Sequence, residues 1–262
     1  LEAIMAPTIA RDGIKLAYDD RGTGKPALVL VHGWTADRSL FALQAEHFAR
    51  GRRVVSVDLR GHGESDRPKG PYAIATFADD LAYLTERLEL GRTVAVGHSM
   101  GGNVVLQLAA AHPDRVAAIV MIDPAPFVFP PELRGALTAM VAAIEAGDQA
   151  PRRQFIADHL FLPTTDPKLK ANVLELLLAA PSHVAAAAMQ GVLGFDNVAA
   201  AARCKVPALH VAATAPLNPP QLMSQWLPGV VNGWTVGAGH FCQLEAPEQV
   251  NSMIEGFLRH HL

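Results

Sequence analysis

Ser99 stands between two glycines in Gly97-His98-Ser99-Met100-Gly101, directly after the apolar run Thr93 to Val96 and at the opening of a stretch with helical periodicity. A serine on a sharp strand-to-helix turn is held in a strained backbone conformation, at a cost of about 1–3 kcal/mol. Such a turn admits only small residues two positions to either side, which Gly97 and Gly101 supply. The hydroxyl then projects clear of the sheet, with the positive end of the following helix beneath it. The plainer alternative is an N-cap serine at a glycine-rich helix start. As a nucleophile the hydroxyl needs a base to take its proton, so a histidine on another loop is required. Among the 11 histidines His240 is the candidate, because Gly237-Ala238-Gly239-His240-Phe241 follows the last predicted strand and its small residues let the loop turn back toward the carboxyl edge of a sheet. His112 and His159 fall at helix ends, where partial positive charge is favoured for structural reasons alone. His32, His62 and His98 adjoin glycine turns and are read as packing and hydrogen-bonding groups, while His260 and His261 close the sequence.

Acyl transfer also needs two backbone donors aimed at the developing oxyanion. The first candidate is the Met100 N–H, one residue beyond the serine. The second is the Trp34 N–H in His32-Gly33-Trp34, which follows the apolar run Ala27 to Val31. Gly33 lets that loop bend toward a substrate, and the Trp34 indole is expected to wall the pocket.

The elements that must position these groups alternate between short apolar runs and amphipathic stretches, as in a parallel sheet covered by helices. Strands are predicted at Ile14 to Tyr18, Ala27 to Val31, Arg53 to Val57, Thr93 to Val96, Val116 to Ile122, Ala208 to Ala212 and Val230 to Val236. Helices are predicted at Leu40 to Ala49, Phe77 to Leu88, Met100 to Ala111 and Pro247 to Leu258. From Ala125 to about Lys205 the β-rich runs vanish, and helices are predicted near Glu132 to Ala146, Arg152 to His159, Pro167 to Ala179 and Ser182 to Val192. Neither flanking part has enough strands to bury both faces of a sheet alone, so they must share one core. The expected organisation is a core of residues 1–124 and 206–262 with a helical lid, 125–205, inserted in it. Asp196, at the exit of the lid, is a candidate hinge, and Gly22-Thr23-Gly24-Lys25 reads as a hairpin turn.

The order His32-Gly33-Trp34, Asp58-Leu59-Arg60-Gly61-His62-Gly63-Glu64-Ser65, Gly97-His98-Ser99-Met100-Gly101-Gly102, helical insertion and Gly237-Ala238-Gly239-His240 resembles the α/β-hydrolase family of small lidded bacterial esterases, lactonases and ring-cleavage-product hydrolases. The resemblance covers the chain from Ile9 onward. It implies an α/β fold with a mostly parallel eight-stranded sheet, a helical lid, a serine nucleophile and no cofactor. Haloalkane dehalogenases and epoxide hydrolases carry aspartate where Ser99 stands, so the resemblance argues against those activities. Asp58 lies in a family motif where the acid serves the loop rather than the chemistry.

One departure matters. Most relatives place the triad acid in the loop after the strand that here reads Ala208 to Ala212, yet Ala213-Thr214-Ala215-Pro216-Leu217-Asn218-Pro219-Pro220 has no carboxylate. A variant of the pattern moves the acid to the end of the strand after the nucleophile helix, where this chain has Asp123. Ser99, Asp123 and His240 keep the order nucleophile, acid, base. Two other readings stay open: Asp123 as a cap on the turn into the following proline-rich segment, and Asn218 as a neutral orienter of the histidine, which would be slow. Glu245 is expected at the start of the last helix, facing away.

Composition bounds the rest. The 262 residues are 50% apolar and 18% charged, enough for a full core with an insertion, and a formal charge of −3 offers no basic field for nucleic acid or anionic lipid. Two cysteines, Cys204 and Cys242, are expected unpaired and buried. No apolar run approaches the roughly 20 residues that span a bilayer, and Leu1 to Thr8 lacks the layout of a signal peptide. The protein is therefore expected in the cytoplasm, free of membranes, as a monomer or homodimer, with Leu1 to Ile4 read as additions before Met5. No cluster has metal-ligand spacing, so no metal is expected. Trp34, Phe127, Phe129, Phe161 and Phe241 are the candidate substrate-binding residues, pointing to a small, mostly apolar ester or lactone; Phe195 is a further lid aromatic. Arg134, Arg152 and Arg153 lie in the lid, where a solvated helix face is the default and service to a carboxylate-bearing substrate the open alternative. Three alternatives stand beside ester cleavage: amide or carbon–carbon bond hydrolysis of aromatic-degradation products, cofactor-free oxygenation by the His–Asp pair, and ligand binding without turnover.

Overall fold

Strands covered by helices on both faces have no solvent side and read as continuous apolar runs. β3 (Leu28–Val31), β4 (Val54–Val57) and β5 (Thr93–His98) are of this kind, buried at every position. The computed structural model describes residues 6–262, so the reading of Leu1 to Ile4 lies outside the described residues. The remaining strands are β1 (Thr8–Arg11), β2 (Ile14–Arg21), β6 (Val116–Ile122), β7 (Ala208–Ala212) and β8 (Val231–Trp234). They form one eight-stranded sheet in the order β1-β2-β4-β3-β5-β6-β7-β8. β1 and β2 join by antiparallel pairing, and every ladder from β4 to β8 is parallel. The Gly22 to Lys25 turn joins β2 to β3 but is no hairpin, because β4 lies between those two strands. β1 went unpredicted because its four residues are half-exposed and carry no apolar run.

Side-chain alternation along each strand divides the core into two layers. Val29, Val31, Val57, Ala95, Ile119 and Met121 face one way, toward α2 (Ile74–Arg87) and α3 (Met100–Ala111), and Leu28, Leu30, Val94, Val96, Val120 and Val211 face the other. The second layer is closed by α1 (Ala42–Phe48) and the C-terminal helix, through Phe48, Val250, Ile254 and Phe257.

Between β6 and β7 come α4 (Pro131–Glu145), α5 (Ala150–His159), α6 (Pro167–Ala179), α7 (Ser182–Leu193) and α8 (Asn197–Arg203). α4 packs on α7 and α5, α5 packs on α6, and α7 also touches α2. α8, unpredicted, packs against α3 and α9 (Pro220–Trp226). Asp196 is its N-cap, accepting from Ala199 N at 2.9 Å. After β8, the short α10 (Cys242–Glu245) and α11 (Pro247–His261) complete the chain. Cys204 and Cys242 are buried and unpaired. Among the described residues no single helix is long and apolar enough to cross a membrane.

Candidate active site

Ser99 is the one residue between β5 and α3, with φ 54° and ψ −121°. The crowding beneath it explains both glycines: a Cβ on Gly97 would lie 2.1 Å from the Gly101 carbonyl oxygen, and one on Gly101 would lie 2.2 Å from that of Val31. The strained turn is thus imposed by the packing of β5 on α3 and β3. Gly33 approaches from the β3 side, where a Cβ would stand 3.0 Å from the Ser99 Cβ.

β-sheet register brings Asp123 beside Ser99. His98 pairs with Ile122, so Asp123 follows on β6 where Ser99 follows on β5. Ser99 N donates to Ile122 O at 3.0 Å, Ala125 N donates back to Ser99 O at 3.1 Å, and Asp123 N donates to Val211 O at 2.8 Å. Asp123 is itself left-handed, with φ 37°, and 1% exposed. Its Oδ2 lies 2.7 Å from His240 Nδ1, and its Oδ1 accepts from Leu217 N at 3.2 Å. The Asp123 contact places the imidazole proton on Nδ1 and leaves Nε2 as the basic nitrogen.

The loop that carries His240 is held from three sides. Thr214 N donates to Ala238 O and Thr214 Oγ1 accepts from Ala238 N, at 2.9 and 3.1 Å. His98 Nε2–H donates to His240 O at 2.8 Å. Glu245, contrary to the expectation that it faces away, accepts from Gly239 N at 3.1 Å and from Thr165 Oγ1 at 2.9 Å. It ends α10 rather than starting the last helix, and one turn of helix brings its carboxylate back to the loop. Asn218 does not touch His240. Its Nδ2 donates to Pro124 O at 2.7 Å and its Oδ1 accepts from Phe127 N at 2.8 Å, so it clasps the segment after Asp123.

The neighbouring histidines are neutral structural groups. His32 Nδ1–H donates to Gly33 O and its Nε2 accepts from Leu59 N, while burial pushes its pKa down against the pull of Asp58. Burial likewise holds His62 at about 3 and His98 well below its ordinary value, with His240 adding to the latter effect. Asp58 is fully buried and accepts from Arg38 N and Glu64 N, besides its ion pair with the Arg38 guanidinium.

Ser99 and His240 open on one cavity of about 180 Å³ that Trp34, Met100, Phe129 and Phe241 also line. Helices α4 to α7 supply Leu133, Leu137, Phe155, Leu177, Met189 and Val192. No Lys, Arg, Asp or Glu is among the lining residues; besides Ser99 the polar ones are His98, His159 and His240. Phe127 and Phe161 do not reach the cavity. Phe127 stacks on Trp226 at 5.6 Å, and Phe161 lies behind Phe241 at 5.3 Å, with Lys170 Nζ over its ring. His159, expected only to favour its helix end, stands at the cavity wall, stacked on Phe155. Leu133 and Leu137 were visible in sequence as one helical face, but nothing there told core from cavity.

Arg152 corrects a further expectation. It is 1% exposed, not on a solvated face, and its guanidinium lies 5.6 Å from the centre of the Trp34 ring. The reason is a set of neutral acceptors: the carbonyls of Leu177 and Ala180 at the end of α6, and Gln149 Oε1. Burial lowers its pKa to about 10, so it stays cationic near neutrality.

Comparison with known proteins bears on the fold. A sequence model described as alpha/beta hydrolase fold matches residues 26–247. The 2-(acetamidomethylene)succinate hydrolase of Mesorhizobium japonicum is 35% identical over 136 residues, and the chain spans about half of that relative, 47% of it, with 52% of its own length. Among solved structures, an esterase from Thermogutta terrifontis superposes with a TM-score of 0.87 at 28% identity, covering 99% of both chains. The enol-lactonase from Burkholderia xenovorans gives a TM-score of 0.85 at 25% identity, covering 97% of this chain and 100% of that one.

Proposed function

The chain belongs to the alpha/beta hydrolase fold family, and from that premise we propose that it is a serine hydrolase cleaving a carboxylic ester or lactone of a small, neutral, mostly apolar substrate. The observation that carries this reading is the 2.7 Å contact of Asp123 Oδ2 with His240 Nδ1, made beside a serine on a strained turn that opens on the same cavity. His240 Nε2 takes the Ser99 proton as Oγ attacks the carbonyl carbon, and the electron pair moves to the carbonyl oxygen. The Met100 and Trp34 N–H groups stabilise that oxyanion, and Asp123 stabilises the imidazolium. Collapse of the tetrahedral intermediate expels the alkoxide, which takes the proton from His240. Water, deprotonated by the same nitrogen, then attacks the acyl-enzyme, releasing the acid and restoring Ser99.

The lining residues support a neutral substrate. A carboxylate placed in an apolar cavity without a cation pays a large desolvation penalty, so a dicarboxylate of the succinate type named for the Mesorhizobium relative fits this site poorly. Ester or lactone cleavage, as in the names of the two solved neighbours, fits it better. Helices α4 to α7 act in this reading as the lid that shapes the acyl subsite.

The test is labelling with a fluorophosphonate followed by intact-mass measurement, with a panel of neutral esters of increasing acyl length. One adduct in the wild type, lost in Ser99→Ala together with ester turnover, is the expected result. Turnover that survives Ser99→Ala would overturn the reading in favour of chemistry by the His–Asp pair alone.

A further inference from the structure

Arg152 is a charged group where a charge is costly. It is 1% exposed, hydrogen-bonds only neutral acceptors, and its Nε finds no partner among the described residues. Burying an unpaired guanidinium costs several kcal/mol unless other groups offset it. Two features do so here. The carbonyls of Leu177 and Ala180 are orphan acceptors at the end of α6, where the helix dipole favours a cation. The face of the Trp34 indole, 5.6 Å away, supplies the other attraction.

Trp34 is also gripped at its edge, where its Nε1–H donates to Ala185 O of α7 at 2.8 Å. Three inserted helices therefore converge on one side chain of the core: α5 through the Arg152 cation, α6 through the carbonyls that anchor it, and α7 through the indole bond. That side chain belongs to the residue after Gly33, whose backbone abuts Ser99. The carbonyl bonds tie α5 to α6, and the contact with Trp34 extends that tie from the inserted helices to the loop of Gly33.

We propose that Arg152 is a positioning residue for the oxyanion hole: by clamping the Trp34 ring from the lid, it fixes the backbone of Gly33 and Trp34 against Ser99. This rests on the serine-hydrolase reading, in which the Trp34 N–H stabilises the oxyanion. The consequence is that the donor is in place only when the lid is docked. A donor displaced by about 1 Å costs on the order of 100-fold in rate while leaving ground-state binding nearly intact.

The test uses the full chain with Trp226→Phe and Trp234→Phe, which leaves Trp34 as the reporter tryptophan. In this background Arg152→Met keeps the length and apolar stem but removes the cation. The expected result is a kcat for a neutral ester lowered about 10- to 100-fold with KM changed less than about threefold. Fluorophosphonate labelling of Ser99 slows in parallel, and Trp34 emission and near-ultraviolet circular dichroism change. Arg152→Lys, which keeps a cation without the planar fork, recovers part of the rate, and it serves as the test if Arg152→Met does not fold. Folded variants with unchanged kcat, labelling rate and Trp34 emission would overturn the proposal and leave Arg152 as a tie between two helices. If the wild type takes no label at all, it is the hydrolase reading that fails, and the Trp34 emission alone then decides whether the clamp exists.

Discussion

Asp123 and His240 lie 117 positions apart in the chain, and their side chains meet at 2.7 Å at the carboxyl edge of the sheet, with Asp123 almost wholly buried. Asp123 follows β6, next to the strand that precedes Ser99, and the loop after β7 supplies its carboxylate with the Leu217 N–H but offers no carboxylate of its own.

Asp123→Ala is expected to lower kcat about 10⁴-fold, the size of effect seen when a triad acid is lost. Asn218→Ala should leave kcat within about tenfold and instead lower stability by about 1–3 kcal/mol, because it strips partners from the buried Pro124 carbonyl and Phe127 amide. Steady-state kinetics and urea unfolding on both variants check this; the reverse pattern would move the acid's role to Asn218.

His98 holds the His240 carbonyl, and in the proposed mechanism it carries no proton to the substrate. His98→Leu removes the donor, and kcat is expected to fall about tenfold through a loosened base, with the pH profile keeping its shape. A profile that gains or loses an ionisation would make His98 a participant in the chemistry.

Stability should fall on acidification through buried imidazoles. His32, His62, His98 and His210 all have pKa values pushed down by burial, His62 to about 3. The unfolded chain binds protons at histidine near about 6.5, so the folded state binds fewer below that pH. The stabilisation is complete above it and drains away as pH falls toward 3, by about 1.4 kcal/mol per pH unit for each group fully held neutral. Urea unfolding at pH 7.5 and 4.5 measures the loss; equal stability at both would contradict it.

Leu137 projects from α4 into the cavity. Leu137→Ala should shift the preferred acyl chain toward greater length, each added methylene altering kcat/KM by about 10- to 200-fold, at about 2–5 kcal/mol in stability. An unchanged chain-length profile would place the acyl group elsewhere.

The interior strands β3 to β7 were legible because burial on both faces writes itself as a nearly unbroken apolar run, as in Leu28–Val31, and the long helices through their amphipathic spacing. The turn at Ser99 was legible because only glycine tolerates the contacts at positions 97 and 101. Helix α8 was hidden in an alanine run whose periodicity says little. Arg152 and Glu245 were misplaced for one physical reason: charged side chains are exposed by default, and their burial is decided by acceptors and donors contributed by segments distant in sequence. Phe127 and Phe161 show the same limit for aromatics, since nothing local distinguishes a ring that walls a cavity from one stacked behind the wall.

The inserted helices leave the core at Pro124, one residue after Asp123, and Asn218 stitches residues 124 to 127 to the loop after β7. This makes the first residues of the insertion inseparable from the carboxylate that meets His240. Anyone exchanging this insertion for that of another hydrolase must cut after Phe127, keeping Asp123 through Phe127 together with Asn218 as one unit. A graft joined at the end of β6 would deliver a new specificity on an acid whose support had been removed.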